Sequence, residues 1–86
     1  MTDTALTEDT IRAAYLEELA RVAPDIDPAS VGADDHLQDD LGLDSMDVLN
    51  FVTALHERLG VDVPEADYPE IATLSRAVAY IARRAA

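Results

Sequence analysis

Cysteine is absent from the 86 residues, which excludes a disulfide framework, a thiolate metal site and a cysteine nucleophile. A reducing cytoplasm is the compartment this composition predicts, and any thiol chemistry must come from outside the chain. Lysine is absent too: the six basic residues are all Arg, set against eighteen Asp and Glu for a formal net charge of −12. That charge repels phosphate backbones and anionic lipid headgroups, so nucleic-acid and membrane-surface partners are excluded. Long apolar runs are missing. The longest, Ala77 to Ala82, falls far short of the ~20 residues a membrane-spanning helix requires. Met1-Thr2-Asp3-Thr4 carries no basic or apolar targeting pattern, and Asp3, Glu8 and Asp9 speak against a transit peptide. Internal repeats, low-complexity tracts and Gly-, Ser- or Pro-rich linkers are also lacking. With 49% hydrophobic residues the chain can build one modest core. The organisation expected is a flexible N-terminus over residues 1–6 and a single domain over 7–86.

Within that domain the apolar residues are spaced for helices. Thr7 is placed to cap a first helix with Glu8 and Asp9 in its opening turn. Ile11, Tyr15, Leu19 and Val22 then recur at steps of four, four and three, Leu16 widens the stripe, and Pro24 stops it. From Asp25 to Leu43 no period persists, which predicts a long ordered loop pinned by Ile26, Val31, Leu37 and Leu41. Asp44 is a second N-cap with Asp47 three residues on, and Gly60 closes a helix over about Ser45 to Leu59. Its core seam is read as Val48, Leu49, Phe51, Val52, Leu55 and Leu59. Pro64 opens a third helix of about one turn that ends near Pro69. Thr73 caps the last helix, whose stripe is Leu74, Ala77, Val78 and Ile81, with Arg83 and Arg84 complementing its C-terminal dipole. The fold class expected is therefore all-α: a small four-helix bundle of three longer helices and one short one, with a long loop between helices one and two.

The position that carries chemistry is Ser45, a lone serine at the first turn of a helix that follows a long loop. Its hydroxyl should face solvent beside unpaired backbone N–H groups, so a phosphodiester on that oxygen would sit in a favourable field. An Asp-Ser pair at a helix start is most often plain capping. The surrounding Leu41-Gly42-Leu43-Asp44-Ser45-Met46, the apolar run of helix two, Leu59-Gly60-Val61-Asp62-Val63-Pro64-Glu65 and Ile71-Ala72-Thr73-Leu74 resemble the acyl carrier protein family across nearly the whole chain. The resemblance implies a free-standing, non-catalytic carrier. Ser45 would receive 4'-phosphopantetheine from coenzyme A through a holo-carrier synthase that uses magnesium. The arm's thiol would hold acyl or aminoacyl groups as thioesters. Implied partners are that synthase, a loading ligase or transferase, and downstream biosynthetic enzymes; a monomer is expected.

Other chemistries fit less well. His36 and His56 with Ser45 and the many Asp supply the residue types of a hydrolase triad, but neither a strand before Ser45 nor a Gly-x-Ser-x-Gly elbow is present. Asp34-Asp35 and Asp39-Asp40 lack the spacing of a calcium loop, so no metal ligands and no catalytic residues are assigned. An unmodified acidic helical adaptor binding a basic partner is the rival from another class. It would tolerate loss of the Ser45 hydroxyl. For the carrier, the expected partner-binding residues are Asp44, Met46, Asp47, Asn50 and Glu57. The helical wheel turns Met46 away from the seam, predicting an exposed apolar knob beside Ser45. Asn50, His56 and Arg58 dilute the acidity of the helix-two face relative to bacterial fatty-acid carriers, which points toward specialised metabolism. The resemblance implies that carriers of fatty cargo have a smaller residue where Phe51 stands and open a channel between helices. Phe51 on the core side either fills that channel, which points to short, polar or aminoacyl cargo, or merely replaces other core volume with small neighbours such as Ala77 compensating.

Overall fold

The computed structural model describes residues 7–85; the flexible start expected over residues 1–6 lies outside them. Helix α1, Glu8–Val22, begins where Thr7 Oγ1 accepts a hydrogen bond from the Thr10 amide. Helix α2, Ser45–Leu59, is capped reciprocally. The Asp44 carboxylate accepts from the Asp47 amide at 2.8 Å, and the Asp47 carboxylate accepts from the Asp44 amide at 3.4 Å. It ends at Gly60, whose φ of 70° is the left-handed conformation that other residues adopt only at a cost. Helix α3, Leu74–Ala85, starts with the Arg76 amide on Thr73 Oγ1. Each of these termini is set by local chemistry, and each falls where the sequence puts it.

Helix α1 packs against both α2 and α3. Ile11, Tyr15 and Leu19 from α1, Phe51, Val52 and Leu55 from α2, and Leu74, Ala77, Val78 and Ile81 from α3 form the buried centre. The rings of Tyr15 and Phe51 meet edge to face with centroids 4.8 Å apart, a favoured aromatic geometry. Tyr15 also donates its hydroxyl to the Ile71 carbonyl at 3.0 Å. Burial pushes the Tyr15 phenol well above the usual tyrosine range, because the anion would lose its hydration.

Three expectations need correcting. The short helix after Pro64 is a 3-10 helix, η2, over Glu65–Ile71, longer than one turn and running past Pro69. Pro69 has no N–H to give. The segment closes instead on tight bonds such as Asp67 N to Pro64 O and Ala72 N to Pro69 O. The loop between α1 and α2 also holds one 3-10 turn, η1, over Pro28–Ser30, capped by Asp27. Leu49, read as part of the seam, is 43% exposed. At 3.6 residues per turn it lies roughly 110° from the middle of the seam, on the edge that Ser45 shares.

Among the buried side chains that the sequence reading leaves out, two carry polar groups with distant partners. Glu18 is 5% exposed on the core side of α1. Arg58 Nη1 donates to it at 3.0 Å from the far end of α2, while Arg21 reaches it at 3.4 Å and Arg58 Nη2 lies 2.6 Å from Glu17. These hydrogen bonds raise the Arg58 pKa above its ordinary value, Glu17 contributing most. Tyr80, buried on α3, donates to Asp67 of η2 at 2.6 Å, and Arg84 lies over its ring.

Candidate functional site

Ser45 is the first residue of α2, and its side chain is exposed. The chain arrives there through Gly42, whose φ of 77° turns the backbone with no Cβ to obstruct it. Leu43 is buried on one side of that approach, with its amide bonded to the Leu37 carbonyl at 2.9 Å. Leu37 is buried and donates its own amide to the Ala72 carbonyl at 3.0 Å. Further back, the Ser75 amide and hydroxyl bond to Ala33 O and Asp34 Oδ1. The long loop is thus fastened to the junction of η2 and α3, and it holds the start of α2 against that junction.

These ties shape a groove of about 530 Å³ with Ser45 on its wall. Leu37, Val48, Leu49 and Met46 line one side, and Tyr68, Pro69 and Ala72 line the other. His36, Gln38, Asp39 and Glu65 add polar groups. The electrostatics are one-sided: from Val22 to Glu57 every Asp, Glu, Lys or Arg in the sequence is acidic. The helix start offsets this locally, since its first amides carry partial positive charge. The site therefore presents a primary alcohol, accessible to a second macromolecule, beside an apolar trough and inside an acidic surround.

The predicted site residues are not gathered equally. Met46 is 62% exposed beside Ser45, as its wheel position requires. Asp44 is exposed and Asp47 partly so, but both carboxylates already serve the capping box. Asn50 is exposed one turn beyond Met46. Glu57 is exposed as well, yet twelve residues along α2 place it about 18 Å from Ser45. Arg58 turns to Glu17 and Glu18 on α1, so it does not dilute the acidity of the exposed face; Asn50 and His56 do. Apart from Ser45 and Met46, sequence reasoning missed the groove lining, Leu49 and Tyr68 among it. A careful wheel would have separated Leu49 from the seam, whereas Tyr68 carries no local signal. Of the histidines, His36 lines the groove with its ring facing Asp40, whereas His56 lies outside it and faces Asp62, each pair at 3.5 Å.

A phosphodiester-linked arm fits this geometry. The hydroxyl is exposed, the helix start favours an anion, and the adjoining trough can take an apolar extension. His36, Leu37 and Leu49 would flank it, and once bound such an arm supplies a thiol for thioester exchange.

Comparison with known proteins agrees. Residues 9–81 match a family model described as a phosphopantetheine attachment site. The chain is 34% identical over 73 residues to an acyl carrier protein of Campylobacter hominis, covering 85% of this chain and 86% of that one. It is 33% identical over 73 residues to an acyl carrier protein of Wolinella succinogenes, covering 85% and 90% respectively. A mitochondrial acyl carrier protein of Neurospora crassa is 36% identical over 55 residues, which is 64% of this chain and 41% of that one. The matched span runs from the first turn of α1 to the buried stripe of α3, taking in the loop, the capped serine and η2. By matched span and by relatives, the chain belongs to the acyl carrier protein family, non-enzymatic proteins that carry a covalently attached 4'-phosphopantetheine.

Proposed function

We propose that Ser45 is the attachment residue, and that the chain presents acyl or aminoacyl thioesters to a succession of enzymes in cytoplasmic specialised metabolism. One observation carries the assignment of Ser45: its exposed hydroxyl stands at the first position of a capped helix, on the wall of an apolar groove. Transfer from coenzyme A requires the Ser45 oxygen to attack the pyrophosphate, its proton leaving and 3',5'-ADP departing. The chain contributes an unobstructed nucleophile and the favourable field of the helix start, while the synthase supplies the base and the metal. An arm at this point can reach outward to an enzyme or lie back along the trough. Asp44, Met46, Asp47, Asn50 and Glu57 form the partner face, with Met46 as its apolar contact and the carboxylates as its charge. Asn50 and His56, where carboxylates could stand, support a specialised rather than a housekeeping set of enzymes, since they weaken the acidity of that face.

Incubation with a broad-specificity holo-carrier synthase, magnesium and coenzyme A checks the assignment. Intact mass should rise by one phosphopantetheine on the wild type and stay unchanged on Ser45→Ala. An arm on the alanine variant would move the attachment site elsewhere. Failure of the wild type with several synthases would favour an unmodified acidic adaptor.

A further inference from the structure

Beneath the apolar groove the interior is closed, and the residues that close it are tied together. Phe51, Tyr15, Leu55 and Ile71 are almost completely buried. The Phe51 ring abuts the Tyr15 ring, and the Tyr15 hydroxyl holds the carbonyl of Ile71, the residue beside Ala72 on the groove wall. A chain entering between α2 and η2 would have to displace Phe51 from Tyr15 and pull η2 off the Tyr15 hydroxyl together. Close-packed interiors resist even one additional methylene, and a carbonyl left without its donor adds to the cost. On the far side, Tyr80 holds η2 to α3 through Asp67, so that segment is anchored from two helices.

We infer that Phe51 and Tyr15 set the cargo length: the Tyr15–Phe51–Ile71 lock confines the carried group to the outer groove, and selects short acyl or aminoacyl groups over long chains. The inference rests on the carrier reading of Ser45 and goes beyond it by naming the cargo class and the residues that impose it. A short group finds apolar contact on Leu49 and Tyr68 and polar contact at His36, Gln38, Asp39 or Glu65 without disturbing the core. A long chain must lie along the open groove, exposed on one side, rather than in the core.

The test loads wild type with acetyl, butyryl, octanoyl and decanoyl phosphopantetheine from the corresponding acyl coenzymes A, each product verified by intact mass. Melting temperature and side-chain methyl spectra are then compared along the series. The expected result is a flat melting temperature, with shifts at Met46, Val48 and Leu49 and none at Leu55 or Ile71. A melting temperature that climbs with chain length, together with shifts at Leu55 and Ile71, overturns the inference while leaving the carrier reading intact. Absence of any added mass on wild type overturns both. Phe51→Leu should gain length-dependent stabilisation, and Tyr15→Phe, which removes the tie while keeping the ring, should gain it partially. If both stay flat, these residues are not what limits the cargo.

Discussion

The two ends of α2 are built from the same helix for opposite purposes. From its middle to its C-terminus, Phe51 and Leu55 are sealed against α1, and Arg58 reaches across to Glu17 and Glu18. Toward its N-terminus, Ser45, Met46 and Leu49 face outward, and the neighbouring carboxylates satisfy only the helix's own first turn. One end spends its side chains on the fold, and the other withholds them from it. A helix used this way keeps the serine in a fixed position without enclosing it, which suits the attachment role proposed for it.

The sharpest way to break this contrast is to unseal the core end. Phe51→Ala should cost about 3–5 kcal/mol, through lost burial and the cavity left against Tyr15. For a small domain that is a large share of the total stability. Chemical denaturation measures it, and a loss below about 1 kcal/mol would mean the interior collapses freely around the gap.

Next in size is the ion-pair end. Arg58→Ala leaves Glu18 with Arg21 alone, 3.4 Å away, and should cost ~1–2 kcal/mol. The loss should shrink when Glu18→Gln is present as well, so a double-mutant cycle isolates the coupling. Additive losses would show that Arg58 stabilises through packing of its stem instead.

Alkaline pH probes the same region without substitution. Free tyrosine ionises near pH 10, and burial raises Tyr15 well above that. The raised pKa stabilises the fold fully below pH ~10, and that contribution is lost progressively as pH climbs beyond it. Tyr80 is also raised, by desolvation first and then by its bond to Asp67, so it pulls in the same direction. Tyr15→Phe should therefore flatten part of the alkaline fall in stability and leave the rest to Tyr80. An unchanged slope would place the ionising group elsewhere.

The smallest stability effect belongs to the exposed end. Met46→Asp should alter unfolding free energy by no more than about 0.5 kcal/mol while slowing transfer from the loaded carrier to its enzymes. Association with a verified partner should also slow as salt rises, because exposed charges are screened over ~10 Å at 0.1 M. Asp47 is a poor probe of that steering, since its carboxylate belongs to the capping box and changing it frays the helix. Glu57→Gln separates charge from capping. A drop in melting temperature for Met46→Asp would erase the distinction between the two ends.

What could be read in advance follows the same division between local and distant chemistry. Thr7, Asp44 with Asp47, Gly60 and Thr73 mark helix ends through bonds to residues three or four away, so the boundaries of α1, α2 and α3 are legible. Ser45 is legible for the same reason. Glu18 was not, although it sits seven residues after Ile11 on the apolar stripe; the partner that makes its burial tolerable is forty residues away. Leu49 was misplaced because a broad seam was drawn where the helix turns a narrower one. The groove could not be foreseen, since Leu37, Leu49, Tyr68 and Ala72 meet only after the loop is fastened to η2 and α3.

That fastening also gives the molecule a clock. The Leu37 amide bonds to the Ala72 carbonyl, joining two residues of the groove lining by a backbone hydrogen bond. Any motion that parts the loop from the junction of η2 and α3 must break that bond and expose the amide to water. The hydrogen-exchange rate of one backbone position, compared between bare and loaded protein, would therefore count the partings of the loop from that junction.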